Sequence, residues 1–147
     1  MTYLLDASVL IALCDELHAH HNDAYAWFTA SKKLSWATCP LTENAFLRIT
    51  SHPSYPRSTG SVTEQLRVLR ELRELPDHQF WPDAVSLLQP AIWSQMDHVK
   101  PSDLTDLYLL ALAVKRGGKF VTLDRSVPAY RIRGGKDALH VLSAKTA

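Results

Sequence analysis

Four carboxylates stand where the sequence pattern changes. Asp6 follows the apolar run Tyr3, Leu4, Leu5; Glu43 comes just past SWATC and Pro40; Asp106 lies near the start of LTDLYLLALAV; and Asp124 follows KFVTL. Carboxylates that share a crevice repel one another and keep their protons to higher pH unless a multivalent cation neutralises them. A set built of oxygen alone, with no cysteine or histidine at matching positions, suits Mg²⁺ or Mn²⁺ better than zinc. Taken singly, each acid reads equally well as a helix cap or a solvated charge. Only a fold that gathers all four makes them a ligand set.

The flanking residues outline such a fold. Residues 3–5 form a short buried strand ending at Asp6, and SVLIALCDEL a helix over 8–17 with Ser8 as N-cap. Ala24, Trp27 and Phe28 give residues 20–30 an amphipathic helical spacing. Residues 35–39 are rich in β-formers, and a helix begun at Thr42 puts Glu43 in its first turn. SHPSYPRSTG reads as a loop, after which Val62, Leu66, Leu69, Leu72 and Leu75 form the apolar stripe of a helix stopped by Pro76. A short strand at 79–81 and a helical stretch at 84–96, interrupted at Pro90, come next. Ser102 then caps a helix over 104–114 that is apolar on nearly every face, hence central, with Gly117 and Gly118 as its stop. Strands at 119–123 and 139–142 follow. Strands alternating with helices predict an α/β protein with a central, mostly parallel sheet flanked by helices. Ligands of such sheets bind beyond the carboxyl ends of the strands, where the acids fall.

Composition bounds the rest. A chain of 147 residues, 46% hydrophobic and 21% charged, suits one soluble globular domain over residues 1–147. No apolar run reaches the roughly 18 residues of a membrane span, and no signal peptide is visible, so a cytoplasmic protein with no membrane association is expected. Cys14 and Cys39 cannot build a disulfide framework. Lys and Arg number 16 against 15 Asp and Glu. Withdrawing four acids into a metal pocket leaves about 11, a surplus of about five positive charges for a nucleic acid backbone.

LLDASVLIAL, LTENAFLRI and TDLYLLALAVKRGGKFVTLD, in this order, resemble a PIN domain, most nearly the VapC toxins of bacterial toxin and antitoxin pairs. The resemblance runs over the whole chain, with its specific blocks near 3–13, 41–49 and 105–125. It implies a PIN-like fold and a Mg²⁺- or Mn²⁺-dependent endoribonuclease whose acids are Asp6, Glu43, Asp106 and Asp124. It further implies that Ser8 and Thr122 orient the ligands by hydrogen bonds. The partners implied are an RNA substrate, a cognate antitoxin and a second copy in a homodimer, with apolar residues near Leu17, Phe46 and Leu69 as the antitoxin groove. Phosphodiester hydrolysis needs a water made nucleophilic near neutral pH and charge relief at the phosphoryl oxygens. One cation can supply both, or two set roughly 3.5 to 4 Å apart.

Other readings stay open. Asp103, three residues before Asp106 on a similar helical face, is a rival ligand, a water-mediated contributor or a helix-end charge. His18, His20 and His21 read as a solvated turn rather than a metal cluster. Arg67, Arg70 and Arg73 read as solvated or Glu-paired before they read as RNA contacts. Arg125, Arg131 and Arg133, beyond the fourth acid, are better phosphate candidates. Trp27, Trp36 and Trp93 are expected in the core, with Trp81 open between core, dimer contact and base stacking. A haloacid-dehalogenase-type phosphatase would want an acid where Ser8 stands, and a receiver domain an acidic doublet near the first strand. A non-catalytic RNA-binding or regulatory PIN-like module is the alternative from another class.

Overall fold

The computed structural model describes residues 1–30, 35–58 and 60–142. Five strands form one sheet: β1 (Thr2–Leu5), β2 (Ser35–Thr38), β3 (His78–Phe80), β4 (Lys119–Thr122) and β5 (Leu139–Val141). Their order is β3-β2-β1-β4-β5, and every pairing is parallel. The helices are α1 (Ala7–Cys14), α2 (His21–Ala30), α3 (Pro40–Thr50), α4 (Val62–Arg73), α5 (Leu104–Lys115) and α6 (Gly135–Ala138). An all-parallel sheet must be covered on both faces, and strand alternation divides the core accordingly. Leu4, Ala37 and Phe120 pack with α5, whereas Leu5, Trp36 and Val121 pack with α1, α3 and α4 through Val9, Phe46 and Leu69. In α5, Leu107, Leu109, Leu110 and Leu112 are at most 1% exposed. At about 1.5–3 kcal/mol for each fully buried leucine, this one helix is a principal anchor of the fold. It closes as its glycines require. Gly117 takes φ 67°, Gly118 N–H donates to the Ala113 carbonyl, and a Cβ on Gly118 would lie 2.3 Å from the Thr2 carbonyl oxygen.

Chain order fixes where the site forms. From β1 the chain winds outward through β2 and β3, then returns to lay β4 on the other side of β1. The point of reversal lies between β1 and β4, and the crevice there is the natural ligand position of an open parallel sheet. Asp6 leaves β1 and Asp124 leaves β4, so both stand at this crevice, and Asp6 N–H still donates to the Val121 carbonyl at 2.9 Å.

Several local expectations are corrected. Ser8 does not cap α1. Asp6 holds the N-cap position, without a side-chain cap bond, and Ser8 Oγ donates to its carboxylate. The helix ends at Cys14 rather than at 17, because Asp15 turns out to accept from Tyr55 and Arg57 of the 51–60 loop. Helix α3 starts at Pro40, whose missing N–H and fixed φ suit a first turn, though Glu43 keeps its first-turn place. Ser102 lies inside a 3-10 turn, Pro101–Asp103, and Asp103 is the N-cap of α5. Residues 84–96 are not helical beyond the 3-10 turn Pro90–Ile92. Proline breaks the helical ladder there, and tertiary bonds take over, with Trp93 Nε1 donating to the Leu87 carbonyl at 2.9 Å and Trp93 bridging Ile132. Phe46 and Leu69, expected in a surface groove, are core residues at 0% and 5% exposure, while Leu17 is exposed. Trp36, Trp81 and Trp93 are buried, and Trp27 is half-buried, edge-on to Tyr3. No described helix is long and apolar enough to cross a membrane.

Candidate functional site

On the α5 side of the crevice the backbone delivers three aspartates. Asp6 sits at the β1 exit, where Thr122 Oγ1 donates to its Oδ2 at 2.8 Å and Ser8 Oγ donates to the same oxygen at 3.0 Å. Thr122, fully buried on β4, also accepts the Asp124 N–H at 3.1 Å, so one hydroxyl ties two acids from two strands together. Asp124 is exposed and steadied by its own turn, its Oδ1 accepting from Ser126 N–H at 2.8 Å and Ser126 Oγ at 2.6 Å. Asp106 projects from the first turn of α5. Its carboxyl is pushed up to about 7 by burial first, then by the charges of Asp6, Asp124 and Asp103. Burial also raises Asp6, with Asp124 adding repulsion and the Thr122, Ser8 and Ala7 hydrogen bonds pulling the other way. Asp103 borders the group as a charge acting on Asp106.

Glu43 belongs to a second cluster, on the side of α3 and α4. Thr38 Oγ1, at the end of β2, donates to Glu43 Oε2 at 2.7 Å, and Arg73 Nη1 of α4 lies 3.1 Å from the same oxygen. His78 Nε2 is 2.8 Å from Thr38 Oγ1. Because the hydroxyl spends its one proton on Glu43, His78 must be the donor in that contact, which fixes the Nε2–H tautomer. Burial and the neighbouring Arg73 push His78 down to about 4, so the ring is neutral at pH 7. Arg73 also stacks on Phe80, with Cζ 5.2 Å from the ring centroid. The two clusters differ in kind. Among the described residues no salt bridge reaches Asp6, Asp106 or Asp124, whereas Glu43 has its cation. Nor do any three His, Cys, Asp or Glu side chains among the described residues close into a ready-made metal cage.

The basic candidates divide. Arg125 is exposed beside Asp124. Arg131 is committed to the chain, donating to the carbonyls of Asp97 at 2.7 Å, Gln95 at 3.3 Å and His98 at 3.4 Å, and Arg133 reaches the Trp93 carbonyl at 3.5 Å. Arg67 is paired with Glu64 and Glu71. Sequence reasoning missed Thr38, His78 and the role of Arg73. The available signal was Thr38 at the end of β2, matching Thr122 at the end of β4 as a hydroxyl beneath an acid.

This arrangement, an all-parallel sheet with acids at its switch point, defines a class that the comparisons make specific. The PIN domain family model matches residues 3–135. Ribonuclease VapC44 of Mycobacterium tuberculosis is 40% identical over 134 residues, 91% of this chain and 94% of that protein. Among solved structures, Mycobacterium tuberculosis VapC20, a Sarcin-Ricin loop cleaving toxin, superposes with TM-score 0.61 at 16% identity, covering 89% of this chain and 99% of that one. VapBC2 from Rickettsia felis, bound to a DNA fragment from its promoter, gives TM-score 0.51 at 10% identity, covering 87% and 94%. At such identities the two structures speak to fold alone. The chain belongs to the PIN-domain family, in its VapC-type ribonuclease branch.

Proposed function

We propose that this chain is a divalent-metal-dependent endoribonuclease, the toxin of a toxin and antitoxin pair, acting as one domain over residues 1–147. The observation that carries the metal is the gathering of Asp6, Asp106 and Asp124 at the crevice between β1 and β4, where Thr122 Oγ1 ties Asp6 to Asp124 and both acids' charges act on Asp106. Three aspartates with no salt-bridge partner among the described residues offer hard oxygens and a charge deficit, a donor set that fits Mg²⁺ or Mn²⁺. Asp6, Asp106 and Asp124 would hold the ion, with Glu43 contributing once it shares or releases Arg73. A bound cation of this type lowers the pKa of a water and offsets charge on phosphoryl oxygens.

The chain's own residues do the positioning. Thr122 and Ser8 aim the Asp6 carboxylate, Thr122 sets the Asp124 backbone, and Ser126 fixes the Asp124 side chain. Arg125, exposed next to Asp124, is the phosphate contact among the three late arginines, while Arg131 and Arg133 shape the loop at 93–98. The VapC relatives support RNA as substrate and a cognate antitoxin as partner, and to these we add a homodimer and a cytoplasmic setting. The alternative is a non-catalytic RNA-binding module on the same fold.

Cleavage of RNA by the purified chain with added Mg²⁺ separates the readings. Wild type cleaves and stops on addition of EDTA, and Asp6→Asn or Asp106→Asn lowers the rate at least about a hundredfold. Full activity in either variant sinks the assignment. Co-expression with the product of the neighbouring upstream gene tests the toxin role, since no complex and no growth arrest by the chain alone would count against it.

A further inference from the structure

On the β3 side of the crevice, a cation and an aromatic ring stand exposed next to Glu43. Arg73 is the last residue of α4, and its side chain is 39% exposed while touching Glu43. Phe80 ends β3, on the same carboxyl edge of the sheet as the acids, and is 45% exposed although large and apolar. The guanidinium lies over the ring at 5.2 Å. Among the described residues Glu43 is the only acid paired with Arg73, so most of its five N–H donors are left for another oxygen-bearing group. Its neighbour Arg67 is instead occupied by Glu64 and Glu71, one to two turns earlier on the helix.

We propose that Arg73 and Phe80 form a nucleotide-holding subsite on the β3 side of the acid crevice, the guanidinium taking an RNA phosphate and the ring a stacked base. Stacking on an exposed aromatic, beside a cation that follows the backbone, is how single-stranded nucleic acid is held without duplex shape. The pair adjoins Glu43 directly. A strand lying across the crevice toward Asp6 and Asp124 therefore passes over this arm on one side and Arg125 on the other. The inference rests on RNA as substrate but not on cleavage.

Its test is binding of a fluorescent, short, mixed-sequence single-stranded oligoribonucleotide to the full chain in EDTA, read by anisotropy across a salt series. Arg73→Gln should weaken binding about tenfold and reduce the slope of log affinity against log salt by about 0.7, one single-strand phosphate contact. Phe80→Ala should weaken it about tenfold with the slope unchanged, and Phe80→Trp should restore it. Arg67→Gln, on the same helix but internally paired, should match wild type. Unchanged affinity and slope in Arg73→Gln, unchanged affinity in Phe80→Ala, or no RNA binding by wild type overturns the subsite. If the arm behaves as stated while wild type fails to cleave with Mg²⁺, the nuclease reading falls and the subsite stands.

Discussion

The two halves of the acid crevice solve the same electrostatic problem differently. On the α5 side, Asp6, Asp106 and Asp124 lie together with hydrogen bonds from Thr122, Ser8 and Ser126 but, among the described residues, no salt-bridge partner. On the α4 side, Glu43 is met by Arg73 and by the Thr38 hydroxyl, itself braced by neutral His78. One half leaves its charge for a cation from outside. The other carries a cation on the chain. Burial and the charges of Asp6, Asp124 and Asp103 therefore act on Asp106 together, and its carboxyl is pushed up to about 7.

Removing the two strand-end hydroxyls should expose this asymmetry most strongly. Thr122→Val strips a donor from Asp6 and the acceptor from the Asp124 N–H, and should cost about 2–3 kcal/mol in urea unfolding. Thr38→Val likewise strips a donor from Glu43 and the acceptor from His78 Nε2–H, but leaves Glu43 its Arg73, and should cost less, about 1–2 kcal/mol. Equal losses would erase the distinction.

Asp106→Asn should act in the opposite direction on the metal-free protein. A carboxyl whose folded pKa is about 7, against an ordinary value of 3.8, stabilises the fold most below pH 4 and loses that contribution as pH rises to 7. The Asn variant lacks this loss. Discounted for partial exposure, its advantage over wild type should be about 1–2 kcal/mol at pH 7.5 and vanish near pH 4, as thermal unfolding across pH would show. Stabilisation independent of pH would contradict the repulsion.

The smallest effect should come from Arg73→Gln, which breaks a half-exposed ion pair and should change stability by no more than about 1 kcal/mol in the same unfolding assay. A larger loss would make Arg73 a structural strut instead of a residue free to face a ligand.

How much of this was legible from residue order follows from the range of each interaction. Asp6 and Asp124 could be placed because the strand residues that carry them stand immediately before them. The α5 helix was legible because an apolar segment followed by paired glycines has one natural place in an α/β fold, although its cap is Asp103 and not Ser102. The 84–96 stretch misled because its structure is imposed from afar, by Arg131 on the Gln95 carbonyl and by the Trp93 to Ile132 bridge. Arg73 could not be matched to Glu43 for the same reason. Thirty residues separate them, and they meet only because β3 adds to the outer edge of β2. Local periodicity reports elements, while the pairing of a charge with its partner depends on topology.

The account is tested most directly by calorimetric titration of Mn²⁺ into the EDTA-stripped full chain at pH 8, comparing wild type, Asp106→Asn and Glu43→Gln. Wild type should bind, Asp106→Asn should weaken binding at least about thirtyfold, and Glu43→Gln should weaken it less than about fivefold, since that acid already has Arg73 as its cation. A Glu43→Gln loss equal to or greater than that of Asp106→Asn, or no Mn²⁺ uptake by wild type, would contradict it.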